Sequence, residues 1–494
     1  MKRRTTAHLL ASLLLLSWTL LVPGCTPEEP ELTALDQLVD DYEEGRIARA
    51  DFLQAIAAME DDGQPGLLEG RLDRTRLLFA RTEPYRVESD FEVAAHAILV
   101  IEAGAALEIA DTVSVDVKGR LYAVAPQDER IAIYAPVGQR YGDLFLSGGP
   151  NQLVSVDLAR GERNLHVRHG FDTHTLVEDA NFDSWVDLAI AQNSSSGLHV
   201  IGSRFGYDTP ETEVSGETIR TRSSGSIIIE GSTFNYRTGY RDVLDLQDCD
   251  PERWPIVIGN RFDGGEDDAI DLDNCSAIVI GNHIRNYQPR DLTVQVAGVN
   301  GGGVTGDGPG TTPFIANNII EGCFHGIGFK NGARPAIVHN TIIDSNIGIT
   351  LYQSVQGNPM PDAVIYNNLL ANNIGWLDGA ENDIVLNGKW WPSYNQIDDV
   401  QATADVRFNT TATLTAPYPG DGNTNADPLI DTSSGLPRLQ AGSPALDSGL
   451  EDLVFPDVAH DLAMEYLQSD FNGAPRDSDG QRLIAPDHGA LENE

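Results

Sequence analysis

A short motif recurs through the middle of the chain and restricts its fold more than any other feature of the sequence. In each copy an Asn or Ser stands between two apolar residues, as Asn260 does between Ile258 and Phe262. Neighbouring copies are 22 to 35 residues apart, and most are 22 to 29 apart. A period of this length is typical of a solenoid with one coil per repeat. The polar residues of the motif are Ser203, Ser232, Asn260, Asn282, Asn317, Asn340 and Asn367.

A coil of this period holds three short strands and three turns, and successive coils stack about 4.8 Å apart by parallel pairing. Equivalent Asn side chains then form a vertical column, in which each amide hydrogen-bonds to the copies above and below it. Leucine-rich repeats share the period but need a helical segment, and no helical pattern of useful length lies between residues 90 and 440. The sequence therefore predicts an all-β parallel β-helix.

These repeats resemble those of right-handed parallel β-helix proteins, the fold of pectate-lyase-like enzymes and of many bacterial surface proteins. The resemblance implies a single-stranded right-handed parallel β-helix over residues 81–430, with a short N-terminal helical segment. Residues 431–494 resemble the C-terminal segment of exported bacterial β-helix proteins. We expect this segment to cap the last coil, whose strand edges would otherwise stay unpaired.

The N-terminus resembles that of a bacterial lipoprotein. Three basic residues precede an apolar stretch over residues 9–22, which is too short to span a membrane and ends shortly before Cys25. The resemblance implies a signal peptide at residues 1–24, a lipid on Cys25 and a place in the bacterial cell envelope. Thr26, where Asp would favour the inner membrane, favours the outer membrane. An ordinary secretory signal cut nearby is the alternative.

Residues 25–80 predict a tether and a small helical segment. Within them, residues 32–60 carry two apolar stripes at helical spacing, and Gly45 separates the two. The helical hairpin that this pattern predicts is either a stalk or a cap on the strands that follow.

The formal net charge of −41 makes the surface strongly acidic. Such a surface repels phosphate backbones, so we expect no nucleic-acid partner. Acidic surfaces suit cations such as Ca²⁺, but they also serve solubility alone.

A second repeat predicts that two acidic segments lie in adjacent coils. Residues 242–246 (Asp-Val-Leu-Asp-Leu) recur as residues 268–272 (Asp-Ala-Ile-Asp-Leu), 26 residues later. Cys249 and Cys275 are also 26 residues apart. We expect their Cα atoms to lie about 5 Å apart, which is within disulfide range. A disulfide and a stacked pair of thiols both fit this spacing.

Alternation along these strands points apolar residues inward and the residues between them outward. It places Asp245 and Asp271 in one outward column, with Asp242 and Asp268 just before their strands. The inward pairs that set this register are Leu244 and Leu246, Ile270 and Leu272, Val294 and Val296, Ile327 and Phe329, and Ile349 and Leu351.

Carboxylates gathered in this way raise one another's pKa unless a cation joins them. Calcium takes six to eight oxygen ligands, many of them from Asp. We therefore predict a Ca²⁺ site on Asp242, Asp245, Asp268 and Asp271. The alternative is that these residues cap turns and face solvent.

The family resemblance adds a possible reaction. In some β-helix polysaccharide lyases an Asp cluster binds Ca²⁺, and a Lys or Arg removes the C5 proton of a uronate before β-elimination. The resemblance implies Lys330 as the base and His325 as its helper, although a solvated Lys330 is the plainer interpretation. Asp267 and Asp268 also resemble the Asp pair of β-helix pectin hydrolases, but the Gly-His and Arg-x-Lys motifs of those enzymes are missing.

We therefore expect an envelope-anchored β-helix lipoprotein that binds extracellular or cell-envelope polysaccharide without cleaving it, and that attaches to the membrane through its lipid. The alternative is a Ca²⁺-assisted polysaccharide lyase that acts on uronate-containing polymers. The sequence does not name the polysaccharide.

Overall fold

The chain winds into a long stack of β-strand coils. The structure, a computed structural model, describes residues 33–60, 63, 65–168, 173–193, 195–206, 216–222, 225–235, 241–289, 302–353, 358–376, 379–386, 402–433, 435–446, 448–449 and 467. Every pairing within its two large sheets is parallel. The predicted all-β parallel β-helix is therefore confirmed.

Two helices precede the coils, namely α1 (Ala34–Glu43) and α2 (Arg49–Ala57). The first strands are β1 (Leu67–Leu72), β2 (Arg76–Leu78), β3 (Tyr85–Val93), β4 (Ile98–Ile101), β5 (Ala106–Ile109), β6 (Val115–Val117), β7 (Arg120–Val124), β8 (Ile131–Tyr134), β9 (Tyr141–Leu146), β10 (Asn151–Val154), β11 (Val156–Val167), β12 (His174–Glu178), β13 (Asn181–Gln192), β14 (Gly197–Ile201), β15 (Arg204–Phe205), β16 (Ile219–Arg222), β17 (Ile227–Glu230) and β18 (Thr233–Asn235). The strands that follow are β19 (Leu244–Gln247), β20 (Ile256–Ile258), β21 (Arg261–Gly265), β22 (Ile270–Asp273), β23 (Ile278–Ile280), β24 (His283–Tyr287), β25 (Gly302–Asp307), β26 (Phe314–Ala316), β27 (Ile319–Glu321), β28 (His325–Lys330), β29 (Ala336–Val338), β30 (Thr341–Ile343), β31 (Ile347–Tyr352), β32 (Asp362–Tyr366), β33 (Leu369–Ala371), β34 (Ile384–Val385), β35 (Thr403–Arg407), β36 (Thr410–Thr411), β37 (Ile430–Asp431) and β38 (Arg438–Leu439).

The coils present three faces. Face 1 consists of β6, β9, the C-terminal parts of β11 and β13, and then β16, β19, β22, β25, β28, β31 and β34. Face 2 is a separate sheet of 13 strands, from β2 and β4 to β35. Face 3 consists of β5, β8, the N-terminal parts of β11 and β13, and then β15, β18, β21, β24, β27, β30, β33 and β36. Because β3, β11 and β13 turn the corner between faces 3 and 1, the two faces join into one sheet of 23 strands.

A ladder of polar side chains marks the turn between faces 2 and 3. Within it the backbone N–H of Asn318 donates to Oδ1 of Asn340, at 3.0 Å, and the Nδ2 of Asn318 donates to the same oxygen at 2.9 Å. Each Asn therefore satisfies polar groups of two coils, as the motif predicted. The ladder residues are Ser203, Ser232, Asn260, Asn282, Asn318, Asn340, Asn368, Asn409 and Asn423.

Two of the predicted ladder positions were wrong by one residue. The structure places Asn318 and Asn368 in the ladder, whereas Asn317 and Asn367 precede it. Asn317 and Asn367 instead adopt the left-handed conformation, with φ of 54° and 56°. Glycine holds the same position in several other coils, such as Gly281 with φ of 63°. Asn is the residue that tolerates this conformation best after glycine, which explains the substitution.

The interior of the coils is packed by stacked apolar side chains. Four phenylalanines on successive coils stack with ring centroids 4.7, 4.8 and 4.7 Å apart, and each is at most 1% exposed. They are Phe182, Phe205, Phe234 and Phe262. The stack is the expected result of like residues recurring once per coil.

The helical hairpin covers part of face 2 of the coils. Val39, Phe52 and Ile56 pack against outward apolar side chains of β4, β7 and β10. Arg49 adds an ion pair of 2.6 Å with Glu178, on β12. The coils begin with β1 and β2, ahead of the boundary predicted at residue 81.

The described part of the C-terminal segment also lies against the side of the coils. Leu439, on β38, and Ala445 pack against Leu369 of face 3. Leu467 packs against the outer side of face 2, beside residues such as Phe314. A cap over the last coil stays a prediction, because most of residues 450–494 lies outside the described residues, as do residues 1–32 with Cys25.

Candidate metal centre

Face 1 gathers the predicted acidic residues in three outward columns. Asp245 pairs in register with Asp271 on the next coil, and Asp271 pairs with Thr305 on the coil after that. Asp242 and Asp268 precede the same two strands, in a column that continues through Gly302 and His325. A third column lies two residues further along each strand and contains Arg222, Gln247, Asp273, Asp307, Lys330 and Tyr352.

The register of the third acidic coil differs from the prediction. Val304 and Gly306 pair with Ile270 and Leu272, so the prediction that Val294 and Val296 follow them is wrong. An added Cβ on Gly306 would come within 2.8 Å of the Phe329 ring and 2.9 Å of Cβ of Leu272. The neighbouring side chains thus fill the space that an apolar residue was expected to occupy.

Three carboxylates from two neighbouring coils converge on face 1. One oxygen each of Asp242, Asp268 and Asp271 lies within 4.8 Å of the other two. Asp268 is only 1% exposed and is held firmly, because it accepts from the Gly302 N–H at 2.7 Å and from Oγ1 of Thr305 at 2.6 Å. Within the parts of the chain that the structure describes, this is the one group of three or more such residues close enough to hold a metal ion.

Asp245 lies beside Asp271 in the same column, on the preceding coil, but is not one of the three carboxylates whose oxygens lie within 4.8 Å of one another. Oδ2 of Asp245 accepts from Gln247 at 2.9 Å, whereas its Oδ1 is buried without a hydrogen-bond partner. Burial, followed by the nearby charges of Glu217 and Asp271, raises the pKa of Asp245 to about 7. A buried carboxylate oxygen that lacks a donor is a natural ligand for a cation.

Burial and mutual repulsion raise the pKa of the other cluster carboxyls as well. The pKa of Asp242 is raised well above its ordinary value by burial and then by Asp271 and Asp268. Burial also raises the pKa of Asp271, although the positive charge of Lys330 opposes the effect. A bound cation would relieve this repulsion, so the residues fit a metal ion that prefers oxygen ligands.

Lys330 lies two coils beyond Asp271, in the third column, and is partly exposed. Burial by itself lowers the pKa of Lys330, but the negative charges beside it outweigh burial and raise the pKa above its ordinary value. Lys330 is therefore a protonated cation at neutral pH in this structure. The groups that raise its pKa are Tyr352, Asp271, Asp273 and Asp307.

His325 shares a column with Asp268 but is fully buried, with no exposed surface. Its ring lies 4.7 Å from the Phe324 ring and 6.4 Å from the Tyr352 ring, centroid to centroid. The predicted role of His325 as a helper of Lys330 is therefore not supported by its accessibility.

A disulfide joins the two coils that carry the carboxylates. Cys249 and Cys275 follow β19 and β22 and are bonded, with their Cα atoms 4.7 Å apart. The structure thus selects the disulfide from the two states that the spacing allowed.

Residues on β25, the strand of face 1 that follows β22, were missed in the sequence. Thr305 donates to Asp268 and also lies 3.2 Å from Oδ1 of Asp271, while Asp307 adds a carboxylate beside Lys330. The only signal for them was the alternation of residues 302–307, which the incorrect register obscured.

Comparisons with known proteins add a partial family match. Residues 292–429 match the family described as NosD, periplasmic copper-binding protein. This segment contains Lys330 and His325 but begins after the three clustered carboxylates. No helix among the described residues is long and apolar enough to cross a membrane.

Two solved structures are similar over most of the chain. A structure titled as that of pectate lyase Pel9A is 13% identical, covers 81% of this chain and 88% of its own, and gives a TM-score of 0.36. A rhamnogalacturonan lyase is 14% identical, covers 74% and 91%, and gives a TM-score of 0.31. No curated protein matches the chain. The fold assignment rests on the strand pairing itself.

Proposed function

We propose that this protein is an exported β-helix protein that binds acidic polysaccharide through a divalent cation on face 1, without cleaving it. The observation that carries the proposal is the convergence of Asp242, Asp268 and Asp271, whose oxygens lie within 4.8 Å of one another. The carboxylates come from adjacent coils, so the stacking of the coils forms the site.

Calcium is the cation that we propose. Carboxylate oxygens suit Ca²⁺, and Ca²⁺ accepts more ligands than three Asp side chains provide. Asp245, with its unpartnered Oδ1, is the fourth ligand of the proposed set. The remaining positions are open to a uronate or similar carboxylate, which the cation would bind by neutralising its charge.

Binding without cleavage is favoured by the charge state of Lys330. A lysine acts as a base only when its amine is neutral, and in the absence of a cation Tyr352, followed by Asp271, Asp273 and Asp307, raises the pKa of Lys330 above its ordinary value. A protonated lysine beside a cation site attracts an anionic polymer rather than removing a proton from it. The cation on the acidic cluster and the ammonium group of Lys330 would thus both attract the same anionic polymer.

The copper of the matched family's description does not suit the described residues. Copper sites use His, Cys or Met, whereas Asp242, Asp268 and Asp271 offer oxygen alone. The only free cysteine among the described residues, Cys323, is fully buried in the core. We therefore propose no copper site here.

Membrane attachment through a lipid on Cys25, with the outer membrane favoured over the inner, belongs to the same proposal. It is supported by the sequence features of residues 1–26 and by the periplasmic description of the matched family. Labelling with a radioactive fatty acid should be lost in Cys25→Ser. Labelling that survives this substitution would contradict the anchor.

The cation-dependent binding can be tested by titration calorimetry of the purified protein with Ca²⁺ and then with polygalacturonate. We expect Ca²⁺ to bind, and the polymer to bind only in its presence. Asp268→Asn should abolish both, whereas the exposed Asp128→Asn removes the same charge away from face 1 and should preserve both. Polymer binding that persists in a chelator would overturn the proposal.

The alternative function is a lyase with Lys330 as the base. The observation in its favour is that Lys330 lies on face 1 only two coils from Asp271. A bound cation would offset the carboxylate charges and so lower the pKa of Lys330 towards that of a base. Rising absorbance from an unsaturated product, lost in Lys330→Ala, would support this function. If a polymer binds but yields no unsaturated product, the protein is not a lyase for that polymer.

A further inference from the structure

Face 1 continues beyond the acidic cluster towards the N-terminus, where it carries arginines as well as carboxylates. Arg163 and Arg220 are neutralised by acidic neighbours, at 3.0 Å from Asp143 and 2.9 Å from Glu217. Arg168 and Arg222 are different, because both are exposed and neither lies within ion-pair distance of a carboxylate in the described part of the chain. In a protein with a net charge of −41, two exposed arginines on one face without a carboxylate partner among the described residues favour an anionic ligand.

The two arginines are held in position by neutral groups. Arg168 stacks over the Phe145 ring, 3.6 Å from its centroid, and its Nε approaches Nε2 of His166 at 3.4 Å. Arg222 donates from Nε to Gln247 at 2.7 Å. These contacts use one N–H group of each guanidinium, so the remaining N–H groups are available to an anion.

Three cationic side chains share the third column of face 1. Arg168 follows β11 and Arg222 ends β16, which are two coils apart. Lys330, at the end of β28, lies four coils beyond Arg222 in the same column. Since coils stack at about 4.8 Å, the two intervals are about 10 Å and about 19 Å, and both are multiples of two coils. The proposed cation site spans the coils of β19 and β22, between Arg222 and Lys330.

We propose that Arg168 and Arg222 form a second anion-binding subsite and that the ligand is a linear polysaccharide in which charged and neutral sugars alternate. Along such a polymer, carboxylates or sulfates recur once per disaccharide, which matches an interval of two coils. A polymer charged on every sugar would place every second charge between the positive points. This inference rests on the proposed function, whose cation site lies between Arg222 and Lys330, and extends the ligand along the same face.

Calorimetry of the whole protein with Ca²⁺ tests the inference, with hyaluronan and polygalacturonate oligosaccharides of equal length as probes. The first probe alternates charged and neutral sugars, and the second is charged on every sugar. We expect hyaluronan to bind more tightly. Arg168→Gln and Arg222→Gln should each weaken its binding about tenfold, the loss expected for one charge-assisted hydrogen bond.

Arg204→Gln is the matched control, because Arg204 is equally exposed but lies on face 3. Unchanged hyaluronan affinity in both face 1 variants, or tighter binding of polygalacturonate, would overturn the inference and leave the cation site standing. The arginine subsite would be supported and the cation site overturned by a different pair of results. In that case Arg168→Gln and Arg222→Gln lose hyaluronan binding, while neither a chelator nor Asp268→Asn changes the hyaluronan affinity. If neither probe binds, both proposals are wrong.

Discussion

Replacing Asn340 with alanine tests whether the polar ladder stabilises the stacking of coils. Asn340 is fully buried, and its Nδ2 donates to the carbonyls of Ile315 and Val338, at 2.9 and 3.1 Å. Its Oδ1 accepts from the backbone N–H of Asn318 at 3.0 Å. Alanine leaves all three backbone groups without these partners.

The magnitude follows from those three groups. A buried polar group that loses its partner costs about 1 to 3 kcal/mol, so Asn340→Ala should destabilise the protein by about 3 to 9 kcal/mol. Gln288→Ala is the control, because Gln288 also donates its amide to a carbonyl, that of Gly322 at 2.9 Å, but is exposed. We expect that control to cost less than about 0.5 kcal/mol.

Urea unfolding followed by circular dichroism measures the overall change, and hydrogen exchange locates it. Contacts in a solenoid run between neighbouring coils, so protection should fall first at the Asn318 N–H and its neighbours. The helical hairpin and β4 lie many coils away and should keep their protection. A loss below about 1 kcal/mol for Asn340→Ala, or a loss of protection spread evenly over all coils, would refute the reasoning.

Other predictions concern the region of the carboxylates. Double substitution of Cys249 and Cys275 by serine should cost about 3 to 4 kcal/mol, the loop entropy for a separation of 26 residues, measured by urea unfolding against the oxidised wild type. Because the pKa of Asp245 is raised to about 7, the carboxyl group destabilises the folded protein as pH rises from about 4 to 7, by up to about 4 kcal/mol. Asp245→Asn should flatten this part of the plot of unfolding free energy against pH. Saturating Ca²⁺ should raise the melting temperature of the wild type but not of Asp268→Asn, and an equal rise in both would place the ion elsewhere.

The sequence predicted the register of the two adjacent acidic coils, those of β19 and β22. The 26-residue interval relates Asp245 to Asp271 and Cys249 to Cys275, and both pairs are neighbours in the structure. A period of 2 along the strand and one repeat per coil suffice to place such residues. The fold and the core of the acidic cluster are therefore readable from these two spacings.

Prediction failed where two registers satisfied the same pattern. Asn317 and Asn318 both stand among apolar residues, and only the left-handed φ of 54° at Asn317 separates their roles. In the sequence between β24 and β28, Val294 and Val296 alternate with polar residues. Residues 302–307, which contain Val304, offer a second alternating segment. The true register puts Gly306 inward, which no search for apolar residues would select.

The error at Gly306 has a physical cause that extends to the whole face. Packing within a solenoid is shared between coils, so the Phe329 ring fills the space above Gly306 and a single coil need not look apolar. The site is shared in the same way, because Asp268 is oriented by Thr305, which lies 37 residues later in the chain. Residues that are far apart in the sequence can therefore lie side by side on face 1, and their neighbours are found by counting coils. By that count, Arg168 and Lys330 belong to one surface, and a polymer that lies along the coils can bind both.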